Sequence, residues 1–397
     1  MKNILFLAHR IPYPPNKGDK IRSFNEIKYL SKYYNIDLIC FADDYNDLKY
    51  KKDLRKYCRN IVVVKLEKKA ALLRGALSFI FNKSISEGYF YKKTIQKIFE
   101  SFLSRNNYEE IFCFSSVMAS CIFKSKVKNI YLSMDYCDLD SDKWLQYSKT
   151  AKFPLSLIFK TEAKRLLNFE KKINRFFDRS IFVSEKEALL FKTRYPEAKN
   201  ISVISNGVDT NFFSPSDNKM KNDFPVIGFF GAMDYYANVN SVLWFYENVF
   251  PLIQKEVPDC IFYIVGSNPD KKVKELEKDL SVKVTGFVED IRPYYEMTDV
   301  CVVPIQIARG VQNKVLEAMA MGKAVVSTSM ALQGLKELTF KELIVEDKAK
   351  NFGEKVLSLL ERKNESFELG VKARDFVKKY YSWDSNLSVL LNRAQNI

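Results

Sequence analysis

The stretch Cys301–Ser327 constrains the fold most strongly, because it joins two short apolar runs through a segment with helical periodicity. We predict buried strands at Val300–Val303 and Ala324–Ser327, with a helix between them. Buried strands connected through a helix are typical of a parallel sheet. Lys314 and Glu317 are three residues apart, so both project from one face of that helix. A helix N-terminus at a parallel sheet favours phosphate, and a nearby carboxylate can bind ribose hydroxyls, so the stretch predicts a nucleotide site.

The rest of the chain shows the same alternation of strand and helix patterns. In the first half, we predict strands at Asn3–Ala8, Ile36–Phe41, Ile61–Lys65, Glu110–Phe114, Asn129–Met134 and Arg179–Val183. Helices are predicted at Lys20–Tyr34, over most of Leu72–Phe102 and at Phe153–Phe177. Further strands are predicted at Cys260–Val265 and Val282–Thr285, after a polar linker that ends near Asp223. The pattern predicts an α/β fold with two doubly wound parallel-sheet domains of roughly 200 residues each.

Composition excludes several classes of protein. Apolar residues make up 47% of the chain, which excludes a disordered protein. No apolar run approaches the ~20 residues that span a bilayer. The seven cysteines form no C-x-x-C pair and several lie in apolar runs, so we expect reduced thiols and a cytoplasmic location. His9 is the only histidine, which argues against a structural zinc site.

The net charge of +15 is concentrated in the first half of the chain. Residues 1–200 contain 39 lysines and arginines against 22 acidic residues, a net +17, whereas the remainder has 24 against 26, a net −2. Such a surface can attract nucleic acid, an anionic membrane or a phosphorylated acceptor. A solvated lysine-rich surface with no partner is an equally valid interpretation. Nucleic acid is the least expected partner, because no motif that reads DNA or RNA accompanies the charge.

The loop His9–Lys20 follows the first predicted strand and precedes a helix. Open α/β sheets bind ligands beyond the carboxyl ends of their strands, which is where this loop falls. It lacks the G-x-G-x-x-G pattern, and this argues against a dinucleotide cofactor. Its length and prolines favour ligand binding over a simple turn. We expect contacts to phosphate or acceptor from Arg10, Gly18 and Lys20.

Acidic residues follow the strand that ends near Met134. Asp138, Asp140 and Asp142 alternate with other residues, but Lys143 occupies the position at which a calcium loop requires glycine. Two interpretations remain, a metal-binding D-x-D and acids at the start of the next helix. Asp135 is the better candidate for contact with substrate, because it directly follows the apolar run.

The predicted helix Phe153–Phe177 interleaves aromatic and aliphatic residues with lysines and arginines. One interpretation is a helix that lies on a membrane surface. The interpretation that we favour is a helix half buried in its own domain.

Four motifs of the second half resemble the nucleotide-sugar-binding domain of glycosyltransferase family 4, which has the GT-B fold. They are Asn206–Asp209, Gly228–Gly231, Gly286–Asp290 and Asn313–Gly322. The loop His9–Arg22 and the segment Asp138–Trp144 resemble the bacterial sugar transferases of exopolysaccharide loci. The resemblance implies two Rossmann-like domains that face each other across a cleft. It assigns residues 1–208 to the acceptor side and 209–380 to the donor side, with a last helix in 381–397 that crosses back to the first domain.

The resemblance also implies roles for individual residues. Glu317 matches the family glutamate that binds the ribose hydroxyls of the donor, and Lys314 lies at the helix start beside the pyrophosphate. The backbone of Val288 is expected to contact the nucleobase, and Gly18 matches a glycine loop that closes on donor and acceptor. The other expected donor-binding residues are Gly310, Asn313, Gly231 and Asn238.

The chain departs from the family pattern at charged positions. The family has Glu-x7-Glu, and Arg309 occupies the place of the first glutamate. Ala232 and Ala237 stand where the family has the arginine and lysine that hold the pyrophosphate, so Arg309 and Lys314 are expected to supply that charge. With no counterpart of the usual family histidine, the expected catalytic residues are Asp135, His9 and Arg309, of which His9 or Asp135 orients the acceptor hydroxyl.

The resemblance implies a retaining hexosyltransferase that needs neither a metal nor a cofactor, because the nucleotide sugar is its substrate. The expected acceptor is an exopolysaccharide, capsule or lipid-linked oligosaccharide precursor. Attachment to the inner face of the cell membrane through the basic half is a further expectation. Two alternatives remain open: a nucleotide-sugar epimerase on the same fold, and a non-catalytic protein that binds a sugar or nucleotide.

Overall fold

The computed structural model describes residues 1–15, 17–216, 222–307, 312–333, 335, 338–339 and 341–392. The chain divides into two compact units. The first comprises Met1–Ser205 and Leu387–Ile397, and the second comprises Asn206–Asn386. These limits lie a few residues from those implied by the sequence. In the described residues, no helix has both the length and the apolar character needed to cross a bilayer.

Seven parallel strands form the sheet of the first unit. They are β1 (Lys2–Ala8), β2 (Tyr34–Ala42), β3 (Cys58–Lys65), β4 (Glu110–Phe114), β5 (Tyr131–Cys137), β6 (Arg179–Phe182) and β7 (Ile201–Val203). Their order in the sheet is β3-β2-β1-β4-β5-β6-β7. Strand β1 lies in the interior of the sheet, between β2 and β4. All its side chains from Ile4 onward are buried, because helices cover both faces of the sheet.

Helices cover this sheet. They are α1 (Gly18–Leu30), α2 (Lys51–Leu54), α3 (Lys68–Ile80), α4 (Ile85–Phe90), α5 (Lys93–Arg105), α6 (Ser120–Phe123), α7 (Asp140–Thr150), α8 (Leu155–Phe176) and α9 (Glu185–Arg194). One prediction needs correction here. The helix predicted at Lys20–Tyr34 ends at Leu30, since Tyr34 already belongs to β2. The prediction that most of Leu72–Phe102 is helical is confirmed, and the stretch is divided into three helices, because Ser84 forms a capping box that starts α4 anew.

Helix α8 is half buried in its own unit, which confirms the interpretation favoured from the sequence. Its buried face carries two glutamates, Glu162 and Glu170. Glu162 accepts hydrogen bonds from the backbone N–H groups of Ile85 (2.6 Å) and Ser86 (2.9 Å), and Glu170 accepts one from Ser141 (3.1 Å). These carboxylates satisfy amide donors in the first turns of α4 and α7, which would otherwise lack partners.

Six parallel strands form the sheet of the second unit. They are β8 (Val226–Phe230), β9 (Ile261–Val265), β10 (Val282–Gly286), β11 (Val300–Val303), β12 (Ala324–Ser327) and β13 (Ile344–Val345), in the order β10-β9-β8-β11-β12-β13. The helices are α10 (Tyr236–Asn248), α11 (Phe250–Glu256), α12 (Lys271–Glu275), α13 (Arg292–Met297), α14 (Asn313–Ala320), α15 (Ala349–Glu361), α16 (Lys363–Tyr380) and α17 (Trp383–Leu387). Strands β11 and β12 have the predicted bounds.

Strand β11 shows why both faces of this sheet are covered. Val300 and Val302 belong to one apolar core, whereas Cys301 and Val303 belong to another. Successive side chains of a strand point to opposite faces, so the two cores lie on the two sides of the sheet. Helix α14, which follows β11, contributes Val315 and Leu316 to the second of these cores.

The last described residues belong to the first unit. The guanidinium of Arg179, at the start of β6, donates hydrogen bonds to the carbonyl oxygens of Leu390 (3.2 Å) and Asn392 (2.5 Å). The chain therefore returns to the first unit after completing the second.

Candidate functional site

The carboxyl end of β8 leads into a tight turn at Gly231. The φ of Gly231 is +151°, a value that favours glycine, and a Cβ there would lie 2.7 Å from Nδ2 of Asn238. The same Cβ would lie 3.3 Å from Cε of Lys314. Gly266, with φ +154°, approaches so closely that a Cβ there would lie 1.7 Å from the carbonyl oxygen of Gly231. Glycine therefore allows residues of α10 and α14 to meet at the end of β8.

Lys314 lies in the first turn of α14 and is held by Asn238. Its ammonium donates a hydrogen bond to Oδ1 of Asn238, whose Nδ2 donates to the carbonyl oxygen of Ala232 at 2.8 Å. The Lys314 nitrogen also lies 4.8 Å from the ring centroid of Phe229. Burial lowers the pKa of Lys314 to about 7, although Glu317 acts in the opposite direction. The positive charge of Lys314 is thus only half populated near neutral pH.

Glu317 lies one turn further along α14 and is held by Tyr295 of α13. The Tyr295 hydroxyl donates a hydrogen bond to Oε2 of Glu317 at 3.2 Å. Tyr295 is itself fixed by its ring, which stacks on Phe230 with a centroid distance of 3.7 Å. Burial raises the pKa of Glu317, and the bond from Tyr295 and the charge of Lys314 oppose this rise. The carboxylate is therefore positioned by side chains from two neighbouring elements.

The start of α14 carries a buried polar atom that has no partner among the described residues. The Oδ1 atom of Asn313 is buried and accepts no hydrogen bond within the described residues. Unpaired amide donors at a helix start and an orphan amide oxygen together favour a polar ligand, and the positive end of the helix favours an anionic one. The predicted Arg309 and Gly310 immediately precede this helix start and lie outside the described residues.

Val288 lies in the loop between β10 and α13. Its side chain is partly buried against the same apolar core as Tyr295. Within the described part of the chain, its backbone N–H and carbonyl have no hydrogen-bond partner. The backbone at Val288 therefore retains one donor and one acceptor, which is what its predicted contact with a nucleobase requires.

In the first unit, the predicted loop forms a charge cluster at His9, Arg10 and Asp19. Asp19 Oδ2 lies 3.3 Å from Nε2 of His9 and accepts a hydrogen bond from Nη1 of Arg10 at 2.8 Å. Burial acts to raise the pKa of Asp19, but His9 and Arg10 outweigh it and hold this pKa well below its usual range. The ring of His9 stacks on Phe114, and its buried Nδ1 has no hydrogen-bond partner among the described residues. His9 thus keeps one polar atom uncommitted.

The other two predicted loop residues have plainer surroundings. Lys20 is buried, and its ammonium lies 2.5 Å from Oδ2 of Asp47, so its charge is committed within the protein. Gly18 begins α1, and a Cβ at that position would meet nothing within 4 Å. Packing therefore does not demand glycine there. The predicted contacts of Lys20 and Gly18 with a ligand stay predictions.

Asp135 is fully buried in β5. The contact with substrate that we predicted for it from the sequence is not seen as an exposed position in the structure. Its Oδ2 accepts hydrogen bonds from Nε (2.9 Å) and Nη2 (2.7 Å) of Arg22, and its Oδ1 accepts one from the backbone of Cys137 (2.6 Å). Arg22 also donates to the carbonyl oxygen of Ile204 at 2.8 Å and lies 3.4 Å from Glu26. This geometry favours a structural role for Asp135, and its part in catalysis stays a prediction.

The acids after β5 serve the start of α7. Asp140 and Asp142 lie in its first turn, although the N-cap position itself is Leu139. Asp142 is paired with Arg194 at 2.8 Å. Among the described residues, no group of three or more histidines, cysteines and acids is arranged to hold a metal ion. These contacts favour the helix-start interpretation of the acidic segment.

Three residues of these clusters were not predicted from the sequence. Arg22 and Glu26 are four residues apart on a predicted helix, a spacing that signals a pair but not its burial beside Asp135. Tyr295 lies five residues beyond the motif Gly286–Asp290, and its bond to Glu317 depends on how α13 packs beside α14. No signal in the sequence alone identifies that contact.

Comparisons with known proteins agree with this architecture. Residues 224–362 match the model of the family described as Glycosyl transferases group 1. A protein from Klebsiella pneumoniae, described as an uncharacterized 44.6 kDa protein in the cps region, is 23% identical over 398 residues. That alignment covers 96% of this chain and 97% of the relative.

Solved structures show the same fold. The sucrose-phosphate synthase from Thermosynechococcus elongatus superposes with a TM-score of 0.68 and 16% identity, over 98% of this chain and 97% of that one. Anabaena HepE, solved in complex with UDP and glucose, superposes with a TM-score of 0.66 and 18% identity, over 98% of both chains. Together with the two parallel sheets, these likenesses confirm the GT-B fold that the motifs implied.

Proposed function

We propose that this chain, whose residues 224–362 match the family described as Glycosyl transferases group 1, transfers a sugar from a nucleoside diphosphate sugar to a polysaccharide precursor. The observation that carries the proposal is the pair of side chains on α14. Lys314 and Glu317 lie one turn apart at the carboxyl ends of β8 and β11, and each is held by a residue from another element. A cation and a carboxylate at this spacing match two parts of a nucleotide, its anionic phosphates and its neutral ribose hydroxyls, which donate hydrogen bonds to a carboxylate.

The chemistry assigned to these residues is electrostatic. Transfer of the sugar breaks its bond to the diphosphate, so negative charge grows on the leaving oxygen. The ammonium of Lys314 and the amide groups at the start of α14 would stabilise that charge, as fixed dipoles do in an oxyanion hole. Glu317 would accept hydrogen bonds from the ribose hydroxyls, and the Val288 backbone would contact the base. We further propose that the reaction needs no metal and retains the anomeric configuration, and that Arg309 adds positive charge beside the pyrophosphate.

The comparisons support the choice of substrates. HepE was solved with UDP and glucose, which supports a nucleotide sugar as donor and makes UDP the first nucleotide to test. The Klebsiella relative comes from a cps region, which supports a capsule or exopolysaccharide precursor as acceptor. On the acceptor side, we assign His9 to orient the attacking hydroxyl, since its buried Nδ1 has no partner among the described residues.

A binding screen tests the donor site. The purified chain is heated with UDP-, GDP-, ADP- and dTDP-sugars, and one nucleotide should raise the melting temperature, because a ligand that binds the native state stabilises it. Glu317→Ala should lose this shift. Glu354→Ala removes an acid with a 62% exposed side chain from the same unit and should keep it. A chain that responds to none of the four nucleotides contradicts the proposal.

A turnover assay separates transfer from the alternatives. The chain is incubated with a lipid-linked acceptor and the nucleotide sugar that the binding screen selects. The configuration of the new linkage is then determined by NMR. A retaining transferase releases the nucleoside diphosphate and gives a product with the donor's configuration. An epimerase would interconvert donor sugars without acceptor, and a non-catalytic protein would bind donor without releasing the diphosphate. Either outcome rejects the proposed reaction.

A further inference from the structure

Helix α3 turns its large apolar side chains outward. Leu72, Leu73, Leu77 and Ile80 are 62%, 63%, 46% and 72% exposed, and Phe81 at the helix end is 73% exposed. We call these five residues the α3 surface. Soluble proteins rarely leave so many neighbouring large apolar side chains in water unless a partner covers them.

The opposite face of α3 explains this orientation. Ala71 and Gly75 are the buried residues of the helix, and this small-residue face packs against α4. A Cβ on Gly75 would lie 3.0 Å from Cγ2 of Ile85, and a Cβ on Gly88 would lie 2.3 Å from Cβ of Ser78. Close packing of the two helices thus uses the small residues. In an ordinary amphipathic helix the large apolar residues face the core, so α3 is built the other way round.

The charges on and beside α3 are positive. The helix contains Lys68, Lys69 and Arg74 and no acidic residue. Lys83 follows within three residues of its end and is exposed. An apolar face flanked by lysine and arginine is the pattern of segments that lie at an anionic lipid interface.

A cavity of about 380 Å³ opens beside the end of α3. Its lining includes four cations, Lys83, Lys124, Arg165 and Lys172, and one carboxylate, Glu87. Lys124 and Lys172 lie over the rings of Tyr91 and Phe123, at 3.1 Å and 4.1 Å from the centroids. None of the three lysines forms an ion pair within the described residues. The cavity therefore has the excess positive charge that an anionic phosphate requires.

Arg165 joins the cavity to the α3 surface. Its guanidinium donates hydrogen bonds to the carbonyl oxygen of Phe79 at 2.6 Å and to Oδ1 of Asn82 at 3.0 Å. The exposed Ile80 and Phe81 lie between these two residues in the chain. Leu157, which is 58% exposed, precedes Arg165 by about two turns on α8. Apolar side chains and cations thus meet at one place on the first unit.

We propose that the α3 surface docks on an anionic lipid bilayer, with its five side chains among the acyl chains and a lipid phosphate in the cavity. Charge complementarity selects this partner. A second copy of the chain would bring the same cations into opposition with each other, whereas anionic headgroups neutralise them. The inference goes beyond the proposed reaction and is tested without any donor, so the two can fail separately.

The test is cosedimentation of the full chain with vesicles of phosphatidylcholine alone or with about one third phosphatidylglycerol, the anionic lipid that supplies a negative surface potential. The chain should bind the anionic vesicles more strongly. Binding should weaken as salt is raised, because salt screens the surface potential. Equal binding to both vesicles, or none to either, overturns the proposal.

Substitutions locate the docking surface. The double variant Leu77→Ser, Ile80→Ser should lose at least tenfold in binding, since each side chain would otherwise leave water for the acyl region. Lys83→Gln and Lys172→Gln should each cost about fivefold, as expected for one cation at a lipid surface. Matched controls in the second unit are Leu280→Ser and Lys350→Gln, whose side chains are also exposed. All six substituted positions lie at the surface, and melting temperatures check that each variant folds.

Two results would reject this surface. Unchanged vesicle binding in the double variant would mean that another part of the chain makes the contact. A mass of two chains in solution that falls to one chain in the double variant would mean that a second copy covers α3 instead.

Discussion

Two clusters of charged residues lie near the carboxyl ends of parallel strands, one in each unit, and they are built differently. In the first unit, Arg22, Glu26 and Asp135 are completely buried. In the second unit, Lys314 and Glu317 are partly exposed, and the neighbouring Asn313 has an orphan amide oxygen. We refer to these as the sealed cluster and the open cluster.

The sealed cluster balances its own charge. The Arg22 guanidinium is taken up by Asp135 and by the carbonyl oxygen of Ile204. Burial, followed by the nearby charge of Asp135, raises the pKa of Glu26 well above its usual value, which favours the neutral form of this third group. One cation, one anion and one neutral acid leave no net charge for a ligand to complete.

The open cluster lacks that balance. Burial lowers the pKa of Lys314 to about 7, so the ammonium loses its proton more readily than an ordinary lysine until an anion binds beside it. Charged residues near the strand ends of two similar sheets are therefore satisfied within the protein in the first unit and, under the proposed function, left for a ligand in the second. Whether the polar groups are satisfied within the protein is what separates the two cases.

The largest expected effect comes from breaking the sealed cluster. Asp135→Ala should cost about 3 kcal/mol in free energy of unfolding, since it leaves a guanidinium buried without its main partner. Ionisation of Glu26, 3.4 Å from Arg22, should limit the loss to that figure. Denaturant or thermal unfolding measures it.

A surface ion pair provides the control for that variant. Glu197 pairs with Arg175 at 3.6 Å, with both side chains more than half exposed, and Glu197→Ala should change stability by less than about 1 kcal/mol. The isosteric Asp135→Asn addresses catalysis. If it remains folded but loses transfer activity, then Asp135 takes part in the reaction and the structural role assigned to it is wrong.

A substitution in the open cluster should affect donor binding more than the stability of the fold. Glu317→Ala should weaken donor binding about 100-fold, because it removes two charge-assisted hydrogen bonds to the ribose. Calorimetric titration with the nucleotide sugar checks this, and Glu354→Ala again serves as the reference. If Glu317→Ala lowers stability but leaves donor binding normal, Glu317 has a structural role like that of the sealed cluster.

Glu170, another buried acid of the first unit, should make the stability of the fold depend on pH. Burial raises the pKa of Glu170 to about 8 from an ordinary 4.5, with Asp140 and Glu187 adding to the rise and Ser141 opposing it. The folded state therefore holds the proton more tightly than the unfolded state, and stability is lost as pH rises from about 4.5 to about 8.

Glu170→Gln removes the ionisable group and should raise stability at pH 8 by on the order of 2 kcal/mol, with little effect at pH 4. Melting temperatures at the two pH values give the comparison. The exposed Glu197→Gln should show no such pH-dependent gain. A gain of equal size at both pH values would mean that packing, not titration, is responsible.

The open cluster should show a pH dependence in the same direction, but in donor affinity instead of stability. Lys314 must be protonated to face a diphosphate, and its pKa of about 7 in the free chain means that binding takes up a proton above that pH. Affinity for a nucleotide sugar, whose phosphates stay ionised, should fall about tenfold between pH 6 and pH 8. Lys314→Met should bind weakly at both values. A steep pH dependence that persists in Lys314→Met would point to Glu317 or Tyr295 instead.

Much of the fold is predictable because periodicity reports burial directly. Strands β4, β11 and β12 coincide with their predicted bounds, since each is a continuous apolar run in a covered parallel sheet. The division of Leu72–Phe102 into three helices was missed, because the capping box at Ser84 interrupts an otherwise helical pattern. The outward apolar face of α3 was missed as well, since the sequence does not reveal that small residues supply the helix contact.

The candidate site is predictable only in part. Lys314 and Glu317 follow from their spacing on one helix and from the family motif. Asp135 looked similar in the sequence, as an acid at the end of an apolar run, yet it is sealed by Arg22 from a helix more than a hundred residues earlier. Long-range packing decides which acid a substrate can reach, and a single sequence does not contain that information.

The smallest expected effect probes how the open cluster is held. Tyr295→Phe deletes the hydroxyl that donates to Glu317 and keeps the ring that stacks on Phe230. The carboxylate then loses one positioning bond but keeps the turn of α14, so donor affinity should fall about fivefold, the equivalent of one hydrogen bond. Tyr294→Phe, on the same helix, is the matched control. If Tyr295→Phe binds donor normally while Glu317→Ala does not, the carboxylate needs no support from α13, and the open cluster reduces to α14 and Asn238.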